Sequence, residues 1–193
     1  MGFPLTFSPN EADSLLYFLT IFTKLGYKNC PSKYIQEQDM NEKIREALIK
    51  KMKEEPFAKK FNIRLIEVDE GYAKVQMIFT PDMENMFGMA HGGAIFSLID
   101  GAFQIASNSY GTMAVALSMT IHYFASPEKG DTITAEAKEV NRTKKIATYD
   151  VRATNSSGKL LASSQSLAYR LEKPLTFLQT HRSVSADDPA SCS

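Results

Sequence analysis

The order of elements in this sequence predicts an α+β fold in which an antiparallel sheet wraps around one long central helix. Three observations carry that reading. Two short β-branched, alternating runs come before position 90 and four come after position 111, each bounded by turn-forming residues as strands are. Between them Gly92 to Asn108 (GGAIFSLIDGAFQIASN) is apolar nearly all round, as a helix must be when most of its sides are buried. A run of strands interrupted once by such a helix is the α+β pattern.

Taken in order, residues 1–39 mix Pro4, Pro9, Gly26 and Pro31 with one apolar patch, show no sustained period, and are expected to lie outside the core domain. Met40 opens a stretch in which Ile44, Ala47, Leu48 and Met52 recur at three-four spacing, the mark of an amphipathic helix. Pro56 should end or kink it. Met40 is also a candidate natural start. Phe61 to Thr80 alternates and is broken by Asp69, Glu70 and Gly71, which predicts a β-hairpin. Asn85 to Ala90 reads as loop and Gly92 to Asn108 as the central helix. Strands are then expected at Met113–Phe124, Asp131–Val140, Ile146–Thr154 and Leu160–Leu171. The domain thus spans 40–171, and the Ser-, Asp- and Pro-containing tail 172–193 is expected to be polar and mobile.

Composition narrows the function classes. The 193 residues carry 22 basic and 22 acidic side chains, so no global field draws the chain onto nucleic acid or an anionic membrane. The apolar run Leu15 to Leu25 is shorter than a membrane span needs, and the acidic residues before it are wrong for a secretory signal. Two cysteines, Cys30 and Cys192, form neither a disulfide framework nor metal-ligand spacing, which points to the reducing cytoplasm and to no metal site.

The chemistry concentrates in Asn85-Met-Phe-Gly88-Met-Ala-His91-Gly92-Gly93 and in Asp100. Gly92 and Gly93 at a helix start present backbone N–H groups uncovered by side chains, with the macrodipole behind them, an arrangement suited to an oxyanion. Asp100 puts a carboxylate among Leu98, Ile99, Ala102 and Phe103; desolvation there should raise its pKa toward that of a general base. Taken singly, Asp100 reads equally as an ion-pair partner and His91 as a helix cap. Their nine-residue separation is about 13 Å along a helix, too far for one carbonyl to touch both. Two copies packed antiparallel across a twofold axis bring the glycine end of one to the carboxylate of the other, so the chemistry requires at least a dimer.

Asn85, His91-Gly92-Gly93, Asp100 and Asn108-Ser109-Tyr110-Gly111, followed by SMTIHYFASPEKGDTITA, resemble the motif of the hotdog-fold thioesterases of the phenylacetate-degradation (PaaI-like) family, over about residues 45 to 171. The resemblance implies a hotdog fold and hydrolysis of an acyl-CoA without metal or redox cofactor. It implies Asp100 as general base or nucleophile, Gly92 as the amide that polarises the thioester carbonyl, Asn85 as the group positioning water or substrate, and His91 as support of the loop. It also implies a homotetramer made from two dimers. The chain departs from some relatives in placing Ala116, with Ser118 nearby, where they carry Ser or Thr, and in displacing the strand-end proline to Pro127.

Gly93 is the further expected substrate-binding residue at the helix end. In the basic turn, Arg142 reads either as a solvated hairpin residue or as a contact to coenzyme A phosphates. Met86, Phe87, Met89 and Phe103 suggest an apolar pocket for an aryl or medium-chain acyl group. Two other readings stand beside the hydrolase. One is a non-catalytic acyl-CoA sensor on the same fold. The other is an enoyl-CoA hydratase, for which the required close Asp/His pair is missing and which His122 and His181 do not restore.

Overall fold

A computed structural model describes residues 40–178; the expectations for residues 1–39 and 179–193 lie outside the described residues. The elements run α1 (Glu42–Glu54), α2 (Pro56–Lys60), β1 (Arg64–Asp69), β2 (Tyr72–Ile78), a 3₁₀ turn (Pro81–Met83), α3 (Gly92–Asn108), β3 (Thr112–Tyr123), β4 (Thr132–Arg142), β5 (Ile146–Asn155), β6 (Leu160–Pro174) and a closing 3₁₀ turn (Thr176–Leu178). Two strands, one long helix and four strands appear in the expected order. The expected helix from Met40 is two helices, because Pro56 has no N–H to continue α1 and instead takes the first turn of α2.

The strands form one antiparallel sheet in the order β1-β2-β4-β5-β6-β3. Its inner face is built of registered small residues. Ala73 faces Ala137, Val75 faces Ala135, Ala135 faces Ala153, and Ala147 faces Ala168, all fully or almost fully buried. Short side chains there let α3 sit close to the sheet, and Leu98, Ile99 and Phe103 fill the space between. The Phe103 ring meets the edge of Tyr149 with centroids 5.4 Å apart, a favoured aromatic geometry. From α1, Leu48 and Met52 are buried against the same core, each side chain contributing roughly 1.5–3 kcal/mol by burial.

The ordered chain runs past the expected limit at Leu171. β6 continues to Pro174, and Leu175 is buried with its N–H donating to the Gly111 carbonyl at 3.0 Å. The polar composition of the tail concealed this, since one buried leucine is enough to fix a turn against the domain.

At the far end of α3 a cluster ties hairpin, helix and sheet together. Glu139 accepts from Tyr149 Oη at 2.9 Å and Tyr110 Oη at 3.2 Å. Gly71 N–H donates to Ser109 Oγ at 2.7 Å. Gly71 has φ +71°, and an added Cβ would stand 2.9 Å from Glu139 Cβ and Tyr110 Oη, so this position demands glycine on both backbone and steric grounds.

The two sheet edges differ. β1 is six residues long and carries Arg64, Glu67 and Asp69, charges that discourage pairing with another edge. β3 is twelve residues long, without an acidic residue, Lys or Arg, and exposes Val115 and Leu117.

Candidate active site

Helix α3 positions the carboxylate. Its buried residues occupy almost every side, and the residues left open are Gly92, Gly93, Phe96, Asp100, Gln104 and Asn108. All but Gly93 recur at every fourth position from Gly92, which sets them on one stripe that winds slowly around the helix. Asp100 is therefore half-buried between apolar flanks yet reachable. No cation among the described residues pairs with it, so the ion-pair reading of Asp100 finds no partner here. Burial raises its pKa above the ordinary carboxylate value, and the like charge of Glu55 raises it further.

The helix begins at a built loop. Asn85 Oδ1 accepts from Phe87 N at 2.9 Å and Met89 N at 3.2 Å, and the Asn85 N–H donates to the Met89 carbonyl at 2.7 Å. Asn85 is thus the hub of the loop, with its Nδ2 donor unused among the described residues. His91 is the N-cap: its Nδ1 accepts from Gly93 N at 2.9 Å, which leaves the ring proton on Nε2. The capping reading of His91 is what the structure shows.

This cap separates the two glycines. The Gly93 N–H donates to His91 Nδ1, and an added Cβ at Gly93 would lie 2.9 Å from the same atom. The Gly92 N–H donates to nothing among the described residues. It points from the first turn of α3, where the helix dipole favours negative charge.

Arg142 joins the cluster at the C-terminal end of α3: its Nε lies 3.2 Å from Glu139 Oε1 and its guanidinium carbon 3.6 Å above the Tyr110 ring. Burial and the neighbouring Glu139 push the Tyr110 hydroxyl up to about 12. The expected pocket of Met86, Phe87, Met89 and Phe103 does not form within the chain. Phe103 is core, whereas Met86 and Phe87 are 89% and 74% exposed.

Three groups near these residues escape sequence reasoning. Tyr123 of β3 donates to the Gly92 carbonyl at 3.0 Å, and its ring occupies the space a Gly92 side chain would need, 3.2 Å from that Cβ. Ser126 Oγ accepts from Ala90 N at 3.3 Å. Glu55, at the junction of α1 and α2, accepts from Gln104 Nε2 at 3.3 Å, one helical turn beyond Asp100. None shares a local motif with the residue it serves. Among the described residues no three His, Cys, Asp or Glu side chains group as metal ligands, and no helix is long and apolar enough to cross a membrane.

The arrangement offers a carboxylate of raised basicity, an unengaged helix-start amide and a loop amide donor: the parts needed to activate water and stabilise an oxyanion. The sequence profile described as the thioesterase superfamily matches residues 87–162. A protein of Archaeoglobus fulgidus named a putative esterase is 44% identical over 110 residues, covering 57% of this chain and 71% of that protein. The acyl-coenzyme A thioesterase PaaI of Escherichia coli K12 is 38% identical over 119 residues, covering 62% of this chain and 85% of that protein. The solved structure of the E. coli PaaI protein of the phenylacetic acid degradation operon superimposes with a TM-score of 0.68 at 34% identity, covering 71% of this chain and 99% of that one. The chain belongs to the thioesterase superfamily, with the hotdog fold of its PaaI-like members.

Proposed function

We propose that this thioesterase hydrolyses an aryl- or medium-chain acyl-CoA to the carboxylic acid and free coenzyme A, at composite sites formed by two copies of the chain. The observation that carries the reading is Asp100: a half-buried carboxylate with no cation beside it among the described residues, on the one open stripe of an otherwise buried helix. An uncompensated group of that kind is costly to structure and useful to catalysis.

The thioester oxygen rests on the Gly92 N–H of one subunit, and Asp100 of the other takes a proton from water. The water oxygen attacks the carbonyl carbon and the negative charge moves to the oxygen held by the amide. Collapse of that intermediate breaks the C–S bond, and the thiolate leaves and takes up the proton. In the nucleophilic variant, Asp100 itself attacks and the resulting anhydride is opened by water. Asn85 Nδ2 is placed to orient water or substrate, and His91 holds the Gly92 peptide by capping its neighbour.

Within one helix Gly92 and Asp100 stand about 12 Å apart, which is why the site needs a second copy. The uncharged β3 edge and the open stripe of α3 support such a dimer. Pairing of two dimers into a tetramer, and residence in the cytoplasm, belong to the same proposal.

A panel of acyl-CoA esters followed by thiol release tests it, with sedimentation of the same preparation. Turnover of aryl or medium-chain esters by a dimer or larger species is the expected result. Binding without release of thiol would make the chain a sensor, and full activity as a monomer would refute the composite site.

A further inference from the structure

A cavity of about 440 Å³ opens among α1, the C-terminal half of α3, the start of β3 and the turn after β6. That volume lies within the range of small-ligand sites, roughly 300–1,000 Å³. Leu48, Met52, Ile105, Met113, Leu175 and Phe177 give it an apolar wall, while Lys51, Glu54, Glu55, Gln104 and Asn108 line its polar side. The last two continue the open stripe of α3 that carries Asp100, at steps of one helical turn. Glu55 touches Gln104 and its charge acts on Asp100. The cavity therefore starts at Gln104, one helical turn from the carboxylate, and runs away from the Gly92 end of its own helix. Asn108 is held in place by the Ala114 backbone, accepting from Ala114 N at 2.9 Å and donating to Ala114 O at 3.2 Å.

We propose that this cavity receives the acyl chain of the substrate and selects flexible saturated chains of medium length over aryl groups. The inference rests on the thioesterase reading given above. Of the two substituents on the carbonyl, coenzyme A is charged and stays in water, whereas only the acyl group gains by leaving water for apolar walls. The apolar part of the wall is mostly branched aliphatic and thioether side chains, which adapt to a bending chain rather than form a flat slot for a ring. From Asp100 to Asn108 is about 12 Å along the helix. At about 1.2 Å advance per bond of an extended chain, that length holds roughly ten bonds.

The test is a chain-length series from acetyl- to hexadecanoyl-CoA, with benzoyl- and phenylacetyl-CoA alongside, on the full chain. Wild-type kcat/KM is expected to rise with length and level off near eight to ten carbons, by the bond count above. Ala114→Phe, which grows a ring into the cavity, should lower the decanoyl-to-butanoyl ratio of kcat/KM at least tenfold, since each excluded methylene is worth about fourfold. Phe177→Ala should move the optimum to longer chains, and it covers the case in which Ala114→Phe does not fold. A preference for aryl esters that neither variant changes overturns the proposal. So does an unchanged length profile with an altered oligomeric mass, which would give the cavity to a second copy of the chain.

Calorimetry of Asp100→Asn with S-alkyl-CoA thioethers reads the same length dependence without turnover. If no ester at all is hydrolysed, the thioesterase reading falls, while affinity that rises with alkyl length still upholds the cavity and flat affinity overturns it.

Discussion

Replacing Asp100 by Asn keeps the size of the side chain and removes only its capacity to take a proton at neutral pH. Among the described residues Asp100 makes no ion pair that the amide would break, so packing should survive and chemistry should not. A general base contributes about a hundred- to ten-thousandfold, or roughly 3–5 kcal/mol of transition-state stabilisation. The assay is thiol release at saturating acyl-CoA, with binding measured separately. Stability supplies a second readout whose sign follows from burial and from Glu55, which both raise the Asp100 pKa. The native state then keeps this proton to higher pH than the unfolded chain, whose carboxyl titrates near 3.9. Stability is therefore lost as pH rises from about 3.9 through the raised native value, and the cost persists above it. Asp100→Asn escapes that cost. Its melting temperature should equal or exceed that of the wild type at pH 7, and the difference should close below about pH 4. A variant that is destabilised yet retains turnover in whatever stays soluble would place the catalytic group elsewhere.

Six other substitutions bear on the same structure. Glu55→Gln keeps an acceptor for Gln104 but removes the like charge facing Asp100, so the acid limb of the kcat/KM profile should move to lower pH; a shift to higher pH would contradict the assignment. Asn85→Ala should cost roughly ten- to a thousandfold in turnover and lower the melting temperature. Asn85→Asp, which keeps the Oδ1 contacts to Phe87 and Met89, should lose turnover with less loss of stability, and equal melting curves for the two variants would deny Asn85 its loop role. Tyr123→Phe removes one hydrogen bond to Gly92, worth about 0.5–1.5 kcal/mol; kcat should fall about two- to tenfold with KM less affected, and an unchanged kcat would leave Tyr123 a purely structural neighbour. Gly71→Ala combines positive φ with a 2.9 Å clash, whereas Gly158→Ala at φ +80° meets nothing within 4 Å. Denaturant midpoints should show Gly158→Ala costing about 1–2 kcal/mol and Gly71→Ala clearly more; equal losses would mean that the cluster around Glu139 yields freely.

The sequence by itself determined the elements and the order in which they come, because each is written in a local period. Gly92 to Asn108 is apolar at nearly every position and forms the helix with those bounds. The alternating runs form strands whose inner residues meet in register. It also singled out Asp100, since a carboxylate in an apolar helix is locally anomalous, and no cation among the described residues pairs with it. What only the tertiary structure decided are relations between distant segments. That His91 occupies the Gly93 amide and leaves Gly92 open depends on a ring rotamer. That Arg142 turns to Glu139 and Tyr110, and Phe103 to Tyr149, depends on which strands lie beside α3. Tyr123 reaches Gly92 and Glu55 reaches Gln104 only because the fold brings β3 and the α1–α2 junction to opposite stretches of one helix. Local period records which face of an element is buried; which partner covers that face is settled by packing across the whole chain.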